Sequence, residues 1–356
     1  MSNQRVVVAM SGGVDSSVAA AFLKEKGYDV VGITMKLWGR DNRCCSYEDV
    51  QDAKMVARQI GIPHYTIPFN DTFKDHIVDY FVSEYIKGRT PNPCAVCNPV
   101  IKFGELLQKA DSLDAQFLAT GHYAGVKEDD ESGRFLLRRG KERGKDQSYF
   151  LARLSQKALS RALFPIGNFN KSKIRQLAER FGLTVASKTE SQEVCFIPDG
   201  DIAGFIEHQH DGEITSGPIV DKTGSVLGTH KGITGYTIGQ RKGLGIAVGK
   251  PIYVTRIHAE SNTVTVGEDK DLYYSTFIAS NPNWISIPEL KKTTRIHARI
   301  RNKHRPRWAT VTPLDSNKLE VRFDKAQRAI TPGQLAVFYE KDIVVGSAWI
   351  DTILPN

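Results

Sequence analysis

"VVVAMSGGVDSSVAAAFL", residues 6–23, is the stretch that decides the fold. Val6-Val7-Val8 is a short β-branched run bounded by turn residues, which reads as a buried strand. Gly12 and Gly13 open backbone angles closed to other residues and leave no side chain in the way. Ser16-Ser17 then begin an Ala- and Leu-rich segment, which is helix-prone. Strand, glycine turn and helix start together point free N–H groups and the positive end of a helix dipole at one spot, and such a spot suits a phosphate. No Gly-Lys-Ser/Thr follows, so this is not a Walker A loop, and it is not G-x-G-x-x-G. A bare Gly-Gly fits an ordinary tight turn equally well. The full hexad Ser11-Gly12-Gly13-Val14-Asp15-Ser16 is more specific.

Outward from this turn, strands and helices alternate. Residues 29–35 read as a strand, 47–60 as a helix, 63–69 as a strand and 73–87 as a helix. Residues 102–112 are helical by pattern, and 116–119 form a strand running into Thr120-Gly121-His122. Residues 155–164 and 171–181 read as two more helices, with Gly182 ending the second. The rhythm implies an α/β fold with a parallel, doubly wound sheet, whose ligands sit at strand carboxyl ends. The turn after the first strand, Met35 and Gly121-His122 therefore share one crevice. After about residue 205 the texture changes to short β-rich runs broken by Gly, Pro and Asn. The expected division is 1–205, a small β-rich unit at 206–280, and a barrel-like or sandwich-like unit at 281–356.

With 356 residues the chain can bury a full core and holds two or three domains. No apolar run approaches the roughly 18 residues of a membrane span, and MSNQR leads directly into a strand, so a cytoplasmic protein without membrane contact is expected. The five cysteines then favour reactive or metal-binding thiols over a disulfide scaffold. The net charge of +8 is compatible with a polyanionic partner. Its densest cluster is "KKTTRIHARIRNKHRPRW" (291–308), with eight Lys/Arg and no acid.

Cys94-Ala95-Val96-Cys97 sits in "RTPNPCAVCNPVIKF", where three prolines in nine residues predict a loop rather than a helix. A lone CxxC suggests half a zinc or cluster site, or a redox pair. The second CxxC is missing, and Cys195 in "SQEVCF" is the other prominent thiol. Cys44-Cys45 read as a loop pair without chemistry.

The hexad resembles the SGGxDS loop of the PP-loop ATP pyrophosphatases, which adenylate a substrate and release pyrophosphate. Together with "TPNPCAVCNPVIKF", "ATGHYA", "KDQSYFL", "SQEVCF" and "GYTIGQRKGLG", it resembles the tRNA-specific 2-thiouridylases along most of the chain. That resemblance implies ATP and Mg²⁺ as cofactors and adenylation of the wobble uridine O2, followed by attack of a cysteine-borne sulfur. Ala9, Met10, Ser11, Gly12, Gly13, Val14, Asp15 and Ser16 would cradle the phosphates, with Met35 and Gly121 beside the adenosine. Asp15 is also offered as the Mg²⁺ ligand, since hard cations take carboxylate and phosphate oxygens.

By the same resemblance Cys97 is the nucleophile and Cys195 its sulfur-carrying partner. Lys102 is a candidate for lowering a thiol pKa. Many relatives carry Asp where this chain has Cys94. Cys94, Cys97 and Cys195 could alternatively hold three corners of a [4Fe–4S] cluster with one iron open. Implied tRNA contacts are Asn92, Pro93, Cys94, His122, Lys145, Asp146, Gln147, Arg301, Asn302 and Gln334. The implied partners are the anticodon stem-loop of tRNAs for Lys, Glu and Gln and a sulfur-donor protein, with the enzyme a monomer. Two other readings stay open: another adenylating PP-loop ligase, and a non-catalytic RNA- or metal-binding protein.

Overall fold

The computed structural model describes residues 4–38, 46–189, 194–197 and 200–355. Cys44 and Cys45 lie outside the described residues. The chain opens with β1 (Arg5–Ala9), α1 (Val14–Glu25), β2 (Asp29–Lys36), α2 (Tyr47–Ile60) and β3 (His64–Pro68). α3 (Asn70–Phe73) runs through a π-helical turn into α4 (Asp79–Ile86). α5 (Pro93–Cys97) likewise runs through π turns over Asn98–Glu105 into α6 (Leu106–Asp111). β4 (Phe117–Thr120), the hairpin β5 (Ala124–Glu128) and β6 (Phe135–Arg139), α7 (Ser148–Leu151), α8 (Gln156–Ser160), β7 (Ala162–Leu163) and α9 (Lys171–Arg180) follow.

The first sheet is parallel, in the order β3-β2-β1-β4-β7. Val7 faces one hydrophobic cluster while Val6 and Val8 face another, so both faces of the sheet are covered. This explains why β1 is a continuous apolar run rather than an alternating one. Strand order reverses between β1 and β4, which is where a doubly wound sheet opens its ligand crevice.

Two sequence expectations are corrected. The proline-rich cysteine segment is helical, not a loop. Asn92 caps α5 by accepting from the Ala95 N–H, and Pro93 takes the first helical position, where its missing N–H is no loss. Pro99 then falls inside the helix, and the stretch around it is π-helical rather than regular α-helix. The helix expected over 155–164 is only α8, and the chain then extends into β7 at the sheet edge.

α10 (Ile202–Gln209) leads to a four-stranded sheet of β8 (Gly217–Val220), β9 (Val226–His230), β10 (Tyr253–His258) and β11 (Thr263–Gly267). The last strands are β12 (Tyr273–Trp284), β13 (Thr294–Arg299), β14 (Arg307–Pro313), β15 (Lys318–Arg328), β16 (Leu335–Glu340) and β17 (Ile343–Ile353). They pair as β12-β15-β14-β13-β16-β17, and β17 pairs back to β12, closing a six-stranded barrel. Closure leaves no free edge among the six. The β5–β6 hairpin of the first region adds to this sheet through Arg138 opposite Ile343.

Candidate active site

The phosphate turn is held by its own serines. The Ser11 N–H donates to Ser16 Oγ at 3.1 Å, and the Ser16 and Ser17 hydroxyls donate to the Gly13 carbonyl at 3.1 and 2.9 Å. Gly12 sits at φ +71°, and a Cβ there would lie 2.3 Å from the Asp49 carbonyl oxygen. Only glycine fits both demands. Gly13 is the N-cap of α1 and offers no capping side chain, which leaves first-turn N–H groups for a ligand. Thr34 donates to the Met10 carbonyl at 2.9 Å and lies 2.8 Å from His64 Nε2, tying β2 to the turn.

Two lysines that sequence spacing gave no reason to select flank this turn. Lys171, the first residue of α9, reaches both Asp15 oxygens at 2.8 and 2.9 Å, and Tyr123 donates to the same carboxylate at 2.7 Å. Lys188 contacts Asp49 at 2.7 Å, Asp52 at 2.5 Å and the Gly12 carbonyl at 3.3 Å. Asp15, offered above to Mg²⁺, is thus already neutralised by an ammonium.

The turn opens into a cavity of about 330 Å³ at the β1/β4 crevice. Ala9, Met10, Ser11, Asp15, Ser16, Met35 and Gly121 line one side, and Gly12, Gly13 and Val14 complete the turn between Ser11 and Asp15. A Cβ on Gly121 would come within 2.7 Å of the Ser16 nitrogen, so β4 meets the start of α1 backbone to backbone. Cys94, Cys97, Cys195, Lys102, Pro93, His122 and Gln147 line the same cavity. Leu37, Phe73 and Ile77 add an apolar wall.

The electrostatics of the cysteines follow from enclosure. Burial pushes the Cys97 thiol up to about 12, against the pull of Lys102. It pushes Cys94 up to about 11, with Cys195 adding to the rise and Lys102 opposing it. Solvent reaches Cys94 inside the cavity, yet protein surrounds it, so its charged form is poorly solvated. Burial also lowers His122 well below the usual imidazole range, with Lys102 adding to the drop, so its ring is neutral and shares a 2.7 Å hydrogen bond with Thr120. Phe196 follows Cys195 and is buried edge-on against Phe73 and Phe81.

The three thiols share a cavity, but among the described residues no group of three His, Cys, Asp or Glu is placed to hold a metal ion. The iron–sulfur reading does not fit, and no step is derived through it. Mg²⁺ asks less of the protein, one or two carboxylates plus substrate phosphates, and Asp15 would serve it by giving up its bond to Lys171.

The remaining expected tRNA contacts lie away from the cavity wall. The Asp146 carboxylate is fully buried, accepting from Arg139 at 3.1 Å, Arg299 at 2.9 Å and the Gly140 and Ser148 N–H groups at 3.1 Å. Its side chain bolts β6 to β13. Lys145 lies beside it, with its N–H donating to the Glu142 carbonyl. Asn302 accepts from Arg299, Arg301 donates to the Arg328 carbonyl at 2.9 Å, and Gln334 donates to the Thr90 and Pro91 carbonyls.

A parallel sheet with a serine–glycine phosphate turn at its switch point defines a HUP-type nucleotide-binding domain. Family models agree: the tRNA methyl transferase HUP domain matches residues 4–199, the tRNA methyl transferase PRC-barrel domain 204–268 and the aminomethyltransferase beta-barrel domain 274–350. The chain is 51% identical over 357 residues to "tRNA-specific 2-thiouridylase MnmA 2" of Thermoanaerobacter sp. (strain X514), covering 98% of each. It is 48% identical over 361 residues to "tRNA-specific 2-thiouridylase MnmA" of Clostridium perfringens, covering 99% of this chain and 100% of the relative. The chain belongs to the tRNA-specific 2-thiouridylase family. Among the described residues no helix is long and apolar enough to cross a membrane.

Proposed function

We propose that this chain is a tRNA sulfurtransferase that converts the wobble uridine of tRNA to 2-thiouridine at the expense of ATP. The observation that carries this reading is one cavity in which a phosphate turn faces Cys97 and Cys195. The uridine O2 attacks the ATP α-phosphorus and pyrophosphate leaves. Phosphates rest on the α1 N-terminus, Met35 and Gly121 border the adenosine, and Asp15 is the carboxylate for Mg²⁺. A sulfur donor first leaves a persulfide on Cys195. Its terminal sulfur attacks C2 and displaces AMP, forming a C2–S–S–Cys195 adduct. The Cys97 sulfur then attacks the Cys195 sulfur, the bond to the transferred sulfur breaks, and 2-thiouridine leaves with its proton. An external dithiol reduces the Cys97–Cys195 disulfide that remains.

Lys102 is the cation beside the thiols, and it favours whichever sulfur carries negative charge. His122, neutral, contacts the base rather than carrying charge. Cys94, exposed beside the buried Asn92 and Pro93, would meet the tRNA first, with Lys145, Gln147, Arg301 and Asn302 as further contacts, and binding to the basic 291–308 segment weakens with salt. Methyl transfer, after which the matching HUP-domain family is named, is the second reading. Two thiols facing a phosphate turn favour sulfur transfer over it.

The test is nucleoside mass spectrometry of unmodified tRNA incubated with Mg-ATP, a persulfide donor, a dithiol and protein prepared both aerobically and anaerobically. ATP-dependent 2-thiouridine that disappears in Cys97→Ser supports the reading. Pyrophosphate release on some other acceptor, with no thiouridine under either preparation, leaves an adenylating ligase instead.

A further inference from the structure

The segment that aims the cysteines is unable to hold itself. In Thr90-Pro91-Asn92-Pro93 two of four residues have no amide hydrogen, so internal main-chain hydrogen bonds are scarce. Tyr80 and Tyr149 hydrogen-bond to Asn92, and the partners of Thr90 and Pro91 come from the barrel. The Thr90 N–H donates to the Pro332 carbonyl at 2.9 Å. Gln334 Nε2 donates to both the Thr90 and Pro91 carbonyls at 3.0 Å. Gly333, at φ +88°, lets the two backbones close, since a Cβ there would lie 2.8 Å from the Thr90 oxygen.

Gln334 is itself fixed: its N–H donates to the Thr331 carbonyl at 3.2 Å, and its carbonyl accepts from Ile350 of β17 at 2.8 Å. Arg89 adds an ion pair to Asp351 at 2.8 Å on the same strand. The next residue after Pro91 is Asn92, the cap of α5, and α5 carries Cys94 and Cys97. A primary amide nitrogen has two hydrogens, and here each has a carbonyl.

We propose that Gln334 is a positioning residue for the sulfur chemistry: the barrel uses its side-chain amide to fix Thr90-Pro91, and so sets the direction in which α5 presents Cys94 and Cys97 to the cavity. Both amide hydrogens are taken by carbonyls and the amide oxygen stays open as an acceptor, so this role is separate from the tRNA contact expected from sequence and compatible with it. The inference rests on the sulfurtransferase reading for its consequence in catalysis, but its structural core is measurable without any RNA.

The experiment uses the full chain as wild type, Gln334→Ala, Gln334→Glu and Gln334→Lys. Iodoacetamide labelling of Cys94 and Cys97 is followed by peptide mass spectrometry without ATP or tRNA, beside kcat and KM for tRNA and the melting temperature. Loss of two hydrogen bonds in the Ala variant raises Cys97 labelling about fivefold and lowers kcat about tenfold, with KM within about twofold. Gln334→Glu turns a carboxylate on two carbonyl oxygens and does more. Gln334→Lys keeps donors and restores most of the wild-type labelling rate. If the Ala variant does not fold, the Glu and Lys variants carry the comparison. Labelling rates equal to wild type in the folded variants overturn the proposal, and a raised KM beside them returns Gln334 to RNA binding. Wild-type protein without thiolation would sink the sulfurtransferase reading while leaving the labelling result intact.

Discussion

The two halves of the cavity are built in different ways. The phosphate turn is assembled from its own neighbourhood: serines 11, 16 and 17 close it, Thr34 of β2 braces it and Gly121 of β4 abuts it. The cysteine segment takes its anchors from residues more than two hundred positions away, in β17 and the turn before β16. The nucleotide half is built within the first domain, where even the distant Lys171 and Lys188 belong, and the sulfur half is a joint product of two domains. Adenylation and sulfur delivery therefore depend on separable parts of the chain.

The sharpest separation comes from Cys97→Ser. Thiouridine formation falls by more than about a thousandfold while ATP affinity, measured by calorimetry, stays at wild type. A parallel loss of ATP binding would show that the halves are not separable. Asp146→Asn strikes the joint itself. It leaves Arg139 and Arg299 buried with an incomplete partner, and urea unfolding should show a loss of about 3–5 kcal/mol. A change under about 1 kcal/mol would mean that the barrel docks without this bridge.

Gly12→Ala attacks the first-domain half. A side chain at φ +71° costs about 1–3 kcal/mol at the turn and weakens ATP binding, while Cys97 labelling is unaltered. Altered labelling would break the comparison. The last test is a pH dependence. Cys97 is raised to about 12, so at every pH below that its thiolate fraction climbs about tenfold per unit. Labelling should rise log-linearly from about pH 7 to 10, and a plateau near the ordinary thiol value would show that Lys102 dominates burial instead.

The same division decided what the sequence could convey. Local chemistry was legible: the β-branched run before Gly12-Gly13, the pattern over Tyr47–Ile60 and the strand ending at Thr120 place the crevice without any structure. The prolines misled because their effect depends on position. Pro93 is harmless at a helix start and Pro99 sits in a π-helical stretch, so a segment dense in breakers is helical. Lys171 and Lys188 were invisible, since nothing in their spacing relates them to Asp15 or Gly12 across more than 150 residues. Asp146 and Gln334 stood out as polar residues in motifs, but only the fold reveals that Asp146 is buried between two arginines and that Gln334 donates to Thr90 and Pro91. The barrel also takes its first strand from Tyr273, because β12 pairs with β15 and β17.

β17 pairs with β12 and β16, extends the β5–β6 hairpin, and carries the Asp351 that holds Arg89. A ribosome makes these residues after nearly everything else. Until Ile343–Ile353 emerge, the barrel is open, the hairpin has an unpaired edge and the cysteine segment lacks its anchor. A chain abandoned during synthesis can thus form the nucleotide turn but not a finished sulfur site.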